Sequence, residues 1–511
     1  MWLLTHTALS LVTPRTDLTA PGRLVTVVTT AALPWRTGTS VNPTLRAGTL
    51  AHKGIQTTLL LPWLDPAAQP YVFPEGITFR TPDEQAKYVR SWLADCAGID
   101  AQGLQIRWYS ATYEPFHASI VQAGDIDLTQ CVPEAERDVV ILEEPEHLNW
   151  YHHGRRWSDE YAHVIGVGHT NYPHYAQYEE RPGTSQGDIP PERRAQMITA
   201  FNSLVCAAYV DVVLQLSSTL PKVPGHCRVC NVHGVRREFL QIGAAAATAG
   251  GGGAASGGNR GGGAYFLGKA SWTKGYRDLF DQLRAAAVAG RPFAGTINTY
   301  GSGRDFDAIR AEAEDPVLGV AVHAGVDHAD ESLHRYWVFI NPSTSEVLCT
   351  ATAEALAMGK RVVLPRHPSN AFFASFSNAI LYDTPDELLP ALERALATPP
   401  LPLSADEAHA LSWDAATDRL FAAASMEASL DRPTARPLHR LAYAAHFLLG
   451  VQPLFDAFRE GSGVSPVVPW LERVALMRQQ ASAAALRVAL PAGLVAAATG
   501  VAAVTGSTLP T

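Results

Sequence analysis

Short apolar runs rich in β-branched residues alternate along the chain with stretches whose apolar residues recur at helical spacing. The runs are Leu24 to Thr30, Thr57 to Leu61, Leu104 to Tyr109, Asp138 to Leu142, His163 to Val167 and Val210 to Leu216, and Val41 to Lys53 and Asp83 to Cys96 read as helices between them. Strands that alternate with helices pair in parallel, so the pattern predicts a doubly wound α/β domain over 23–242. A second series follows, with strands expected at Ala264 to Gly268, Thr296 to Tyr300, Tyr336 to Ile340 and Arg361 to Leu364, in a second domain over 264–425. Gly243 to Gly263 is almost entirely Gly and Ala, cannot bury enough apolar surface to fold, and is expected to be a linker. Residues 1–22 read as a short N-terminal extension and 426–511 as a helical extension with a low-complexity tail, in which Trp470, Val474 and Met477 share one helical face suited to packing on the protein, the commoner use, or to lying on a bilayer. Ligands of such sheets bind at the C-terminal ends of the strands, which puts the expected site in a cleft between the two domains.

Composition narrows the reading. At 511 residues and 47% hydrophobic content the chain has core enough for two domains, and a net charge of -9 offers no electrostatic argument for a nucleic-acid partner. Six cysteines are scattered without the dense framework of a small secreted domain, which suits a reducing compartment. Cys227 and Cys230, flanked by His226 and His233, form the one close pair, but no second pair follows at zinc-site spacing and the stretch reads as a short strand. No metal site is expected. The first twenty residues lack the basic start and apolar core of a secretory signal; they are Thr-rich, with Arg15 and no acid before Asp17, which is compatible with a transit peptide. Val488 to Thr511 is uncharged but contains Pro491 and too few Leu, Ile or Phe to read as a membrane span.

Candidate chemistry concentrates after expected strands. In Asn341 to Lys360, Glu346 and Glu354 stand eight positions apart across the start of a helix. A helix N-terminus presents unpaired N–H groups and partial positive charge, which suits a diphosphate near Thr350 and Ala351. Glu354, expected about two turns into the helix, would accept hydrogen bonds from vicinal hydroxyls such as those of a ribose, and Glu346 would meet hydroxyls beyond the phosphates. Lys269 and Lys274 follow another strand five positions apart, where ammonium groups would neutralise a leaving diphosphate without a metal. Near the N-terminus Gly38 and Thr39 open a helix after the first strand and allow close backbone approach to a phosphate, although no Gly-x-Gly-x-x-Gly fingerprint is present. His169 directly follows an expected strand and would meet a transferred hexose. The His- and aromatic-rich run Glu143 to Trp157 lacks regular ligand spacing and fits a sugar cleft as well as a metal.

These stretches, together with Cys230 to Val235, Asp327 to Asp330 and His367 to Asn370, resemble the digalactosyldiacylglycerol synthases of plants and green algae, a group within family 4 of the retaining glycosyltransferases. The resemblance runs from about Val25 to Thr417, with Leu142 to Trp150 and Thr350 to Lys360 as its most specific motifs. It implies a GT-B fold, in which two Rossmann-like doubly wound domains face a central cleft, here with a helical C-terminal extension. The implied reaction moves galactose from UDP-galactose to monogalactosyldiacylglycerol with retention, using UDP-galactose as donor substrate and no separate cofactor. By the same resemblance Glu346 and Glu354 hold the donor sugar and the ribose, and Lys269 and Lys274 hold the diphosphate. Many relatives outside this group have arginine where Lys269 stands, and lysine keeps that charge but loses the bidentate fork. His169 would orient the transferred sugar. The patch Trp150, Tyr151, Arg155, Arg156 and Trp157 is the candidate for lipid headgroup contact at a membrane surface, with packing at the domain edge as the alternative, and peripheral attachment to the chloroplast outer envelope follows from the family. A family 4 enzyme with a soluble acceptor, or a silent nucleotide-sugar-binding protein, would share the donor motifs.

Overall fold

Fourteen strands form among the described residues and divide into two sheets. The computed structural model describes residues 17–114, 119–123, 126–150, 152, 154–178, 190–223, 226–248, 263–424 and 432–449. The first sheet runs β4 (Ser119–Gln122), β3 (Gln105–Glu114), β2 (Gln56–Leu64), β1 (Leu24–Val28), β5 (Val139–Glu143), β6 (His163–Gly168), β7 (Val212–Gln215) and β8 (His226–Val229). All neighbours are parallel except β3 and β4. The second, wholly parallel sheet runs β11 (Val320–Ala324), β10 (Ile297–Gly301), β9 (Ala264–Leu267), β12 (Val338–Ile340), β13 (Arg361–Pro365) and β14 (Ala379–Tyr382). The expected α/β architecture is therefore what forms.

Helices cover both faces of the first sheet, which is why its central strands are apolar at consecutive positions rather than alternate ones. Val27 faces the core shared with helix Gly38–His52, and Val28 faces the opposite core, around Trp157. The strand order reverses direction at β1/β5 and at β9/β12, the two crevices where loops splay apart and a ligand fits. The candidate loops leave β1, β9 and β12, so the topology carries them to these two crevices.

Two segments depart from the expected boundaries. Gly243 to Thr248 belongs to helix Arg237–Thr248 rather than to a linker. Alanine is the best helix former, and the helix lies so close to the second domain that a Cβ on Gly243 would come within 2.1 Å of the Ala357 carbonyl oxygen. Helix Trp413–Ala423 lies within the range assigned to the second domain but returns to the first: Trp413, Ala416 and Leu420 join the core that holds Leu45, Val232 and Ile165. Its apolar stripe matches the exposed flank of helix Gly38–His52, which needs cover. Helix Arg432–Leu449 also packs on the first domain, where the Tyr209 hydroxyl meets His446 Nδ1 at 3.0 Å. Among the described residues no helix is long and apolar enough to cross a membrane.

Candidate active site

The second domain contributes a paired lysine and glutamate beside a free helix end. Lys274 closes the loop after β9 and is followed by Gly275, whose φ of +83° favours glycine and whose missing Cβ lets the loop lie against Pro342; a Cβ there would stand 2.7 Å from the Pro342 backbone. That contact brings Lys274 Nζ to 2.7 Å from Glu346 Oε1 in the loop after β12. Burial by itself would lower the Lys274 ammonium, but the Glu346 charge, the Tyr175 phenol of the first domain and the hydrogen bond to Glu346 hold it above its ordinary range. Helix Thr350–Ala357 begins four residues beyond Glu346, and no side chain caps it, so its first N–H groups remain available to an anion. Thr350 and Ala351 open this helix, and both are half-buried.

Glu354 stands one turn into that helix rather than two, because the helix starts at Thr350 and not in the preceding Ser/Thr run. Its Oε2 takes a 2.8 Å hydrogen bond with His328 Nδ1, and His328 Nε2 meets the buried Tyr265 hydroxyl at 2.7 Å. The carboxylate thus has a fixed base while keeping its second oxygen for a ligand. Lys269 is exposed and its side chain makes no hydrogen bond or ion pair among the described residues. Lys360, at the end of the same run, is buried and donates to the carbonyls of Leu333 and Tyr336, at 2.9 and 2.8 Å. Burial pushes its ammonium down to about 7. It ties the segment before β12 to the segment before β13.

In the first domain, Gly38 is the first residue of helix Gly38–His52 and is exposed, with Thr39 half-buried beside it. Just before them Arg36 reaches Asp327 of the second domain at 3.1 Å, and Arg236 grips the other oxygen of Asp327 at 2.7 Å. The loop after β1 therefore faces the second domain, as a shared donor cleft requires. His169 follows β6, and its Nε2 lies 2.5 Å from Glu143 Oε2 at the end of β5. Glu143 is fully buried, and its other oxygen receives Arg46 Nε at 2.5 Å. Burial would raise the Glu143 carboxyl, yet the charges of Arg46 and His169 and their hydrogen bonds hold it below its ordinary range. Removing one partner of such a buried pair typically costs about 3–5 kcal/mol.

Glu144 has φ of 62°, a conformation non-glycine residues seldom adopt. This turns its carboxylate back to Thr30 Oγ1 at 2.9 Å and to the Thr170 hydroxyl, with His147 nearby. Burial opposes ionisation here too, but the hydrogen bond and charge of His147, the charge of His169 and Thr170 hold it down at about 2. At Glu146 burial and the Glu144 charge outweigh a backbone hydrogen bond and the charge of His169 and push the carboxyl up to about 7. His233 packs against His169 with ring centroids 4.8 Å apart, and neither of its ring nitrogens has a hydrogen-bond partner. Burial, then the charges of His169, Arg46 and Arg419, keep it well below the usual imidazole range, so it stays neutral.

The expected headgroup patch separates into two kinds of residue. Trp157 is fully buried and donates Nε1 to Asn149 Oδ1 at 2.8 Å, and Arg156 is 4% exposed and donates to the Ala208 carbonyl. Both serve the first-domain core, so for these two residues the expected headgroup contact is corrected to packing: the run enters helix Trp157–Glu160 and Trp157 fills its inner side. Arg155 remains exposed and pairs with Glu160, while Trp150 is half-buried, stacks on His147 and donates to Asn202. Tyr151 lies outside the described residues.

The chain is 44% identical over 419 residues to digalactosyldiacylglycerol synthase 1, chloroplastic, of Lotus japonicus, a match covering 81% of this chain and 51% of the relative. Against digalactosyldiacylglycerol synthase 2, chloroplastic, of Glycine max it is 40% identical over 413 residues, covering 81% of this chain and 85% of the relative. The chain belongs to the digalactosyldiacylglycerol synthase family. It spans about half the length of the type 1 relatives, 47% in the Arabidopsis thaliana protein. No family model matches it. Among solved structures, sucrose-phosphate synthase from Thermosynechococcus elongatus aligns at TM-score 0.45 with 14% identity, covering 83% of this chain and 100% of that one.

Within this member of the digalactosyldiacylglycerol synthase family, the structure joins Lys274 to Glu346 and sets His169 on a buried support, but it leaves Lys269 apart. The supporting residues Arg46, Glu143, His233 and His328 were not expected as site residues. One local signal existed: Glu143 is a carboxylate ending an otherwise apolar buried strand. Glu143, His169 and His233 also place one ligand-type atom each within 4.8 Å of one another, a grouping that no sequence spacing displays.

Proposed function

We propose that the chain is a retaining galactosyltransferase that moves galactose from UDP-galactose to the 6-hydroxyl of monogalactosyldiacylglycerol, forming digalactosyldiacylglycerol. The observation that carries this reading is the Lys274–Glu346 pair beside the uncapped start of helix Thr350–Ala357, in a chain 40% identical to a digalactosyldiacylglycerol synthase across 85% of that relative's length. The diphosphate would lie on the N–H groups of Thr350 and Ala351 and on Lys274, with Gly38 and Thr39 closing from the other side and Lys269 adding long-range charge. Glu354 would hold the ribose hydroxyls and Glu346 the galactose. His169 would orient the transferred sugar.

In the reaction the bond between galactose C1 and the β-phosphate oxygen breaks, and the acceptor oxygen bonds to C1 from the same face. The acceptor proton passes to the departing β-phosphate. The protein's share is positioning and stabilisation of the developing phosphate charge, for which Lys274 is the main cation. No metal ion or separate cofactor has a step in this scheme. The acceptor would be drawn from a membrane surface, with half-buried Trp150 and exposed Arg155 the remainder of the headgroup patch, and the enzyme would sit peripherally on the chloroplast outer envelope. The relatives are named chloroplastic.

Radiolabelled UDP-galactose incubated with the protein and monogalactosyldiacylglycerol in mixed micelles tests the whole reading. A labelled digalactosyl lipid, formed from UDP-galactose and not from UDP-glucose, is expected. Label on soluble acceptors alone would make the protein a family 4 enzyme of another specificity, and UDP binding without transfer would make it a silent binding protein. For Glu354→Ala the KM for UDP-galactose is expected to rise about 10–100-fold, the worth of a charge-assisted hydrogen bond to a hydroxyl pair, with a smaller change in kcat. Steady-state kinetics with varied donor check it, and an unchanged KM would remove Glu354 from the donor site.

A further inference from the structure

We propose that Glu143, pinned by Arg46, is a positioning residue that fixes the tautomer of His169, so that Nε2 carries the proton and Nδ1 presents a lone pair to the donor sugar. The inference deepens the galactosyltransferase reading and rests on it.

An ionised carboxylate only accepts hydrogen bonds, so the 2.5 Å contact between His169 Nε2 and Glu143 Oε2 requires the proton on Nε2. In the neutral ring, the form that this proposal assigns to the donor complex, the acceptor is then Nδ1. That atom has no partner among the described residues and, unlike both nitrogens of His233, is not sealed from solvent. Glu143 cannot turn away, because Arg46 Nε holds its other oxygen and Arg46 Nη1 is itself anchored on the Val232 carbonyl at 3.0 Å. The Arg46 guanidinium stacks over the Trp413 ring, 5.5 Å from its centroid, and the same ring lies 6.1 Å from that of His233. Four segments far apart in the chain thus lock one imidazole.

The close grouping of Glu143, His169 and His233 also invites a cation. Arg46 argues against that use: its guanidinium already occupies one Glu143 oxygen, and a dication on the other would face a buried positive charge at short range. His233, neutral and dry, serves instead as a wall against which the His169 ring lies.

Glu143→Gln separates the possibilities. With Arg46 Nε still donating to the amide oxygen, the amide NH2 must face His169, which forces Nε2 to accept and moves the proton to Nδ1. The sugar then meets a donor in place of an acceptor. Expected is a fall in kcat of at least about tenfold, the cost of leaving one hydrogen-bonding group facing the sugar mismatched, with the KM for UDP-galactose nearly unchanged. In a His169→Ala background the same substitution is expected to change kcat by less than about twofold, since it acts only through the imidazole. Should Glu143→Gln fail to fold by thermal melting, Arg46→Lys, which keeps the buried charge pair but loses the guanidinium's second anchor on the Val232 carbonyl, is run through the same cycle, with a loss of kcat expected only where His169 is present. An undiminished loss in the His169→Ala background overturns the proposal, as does a transferase that loses activity to a chelator and regains it with Zn²⁺ alone. If the wild-type protein transfers no galactose, the galactosyltransferase reading fails instead.

Discussion

Lys274→Ala is expected to lower kcat/KM for galactose transfer by about 10²–10³-fold, the usual loss when one preorganised group facing developing charge is removed. The ammonium is the single cation that the second domain holds at the start of helix Thr350–Ala357 by an ion pair among the described residues, and Glu346 keeps it charged and aimed. In water such a charge would be heavily screened, but Lys274 and Glu346 are 12% and 20% exposed, and a bound donor would cover them further. The fold should survive, because Glu346 left alone retains access to water. Initial-rate assays together with a melting curve check this: near wild-type turnover in a folded Lys274→Ala protein would take the diphosphate away from this lysine. Lys269→Ala, by contrast, should cost far less, since that side chain is exposed and has no hydrogen bond or ion pair among the described residues.

Gly275→Ala is expected to destabilise the protein by about 2–5 kcal/mol, combining the left-handed backbone penalty with overpacking against a neighbouring backbone. The added methyl would stand 2.7 Å from Pro342 main-chain atoms, which cannot swing aside as a side-chain tip does. Relief requires the loop to lift, and lifting it separates Lys274 from Glu346. Denaturant melts should therefore show lost stability, and the folded fraction should also have lost transfer activity. A variant that is destabilised yet fully active per folded molecule would show that the Lys274 loop is not held in register by this contact.

The sequence disclosed the central strands because they are buried on both faces and so read as unbroken apolar runs. It did not disclose β11 and β14, which lie at the edges of the second sheet: Val320 to Ala324 is interrupted by His323, and Ala379 to Tyr382 is an apolar run of only four residues, too short to be told from a helix segment by pattern alone. The candidate residues Lys274, Glu346 and Glu354 were legible because each lies close to a strand end or helix start. The support of His169 was not. Arg46 and Glu143 are 97 positions apart and Arg46 and Val232 are 186 apart, so only the packed fold makes them neighbours. The headgroup patch misled for a related reason: Arg156 and Trp157 have the composition of a surface, but their partners, the Ala208 carbonyl and Asn149, lie inward.

The return of helix Trp413–Ala423 to the first domain makes the two halves of the molecule interlocked pieces rather than beads on a string. A backbone nick placed between residues 249 and 262 would sever the peptide yet leave the downstream fragment inserted in the upstream one, with Trp413 under Arg46 and the Trp413 backbone against Gly234. The upstream fragment prepared alone would lack that plug and would expose the apolar flank around Leu45 and Val232. Separate inheritance of the Lys274-bearing and His169-bearing halves is thereby barred: each new partner would have to bring a helix shaped for the other's core.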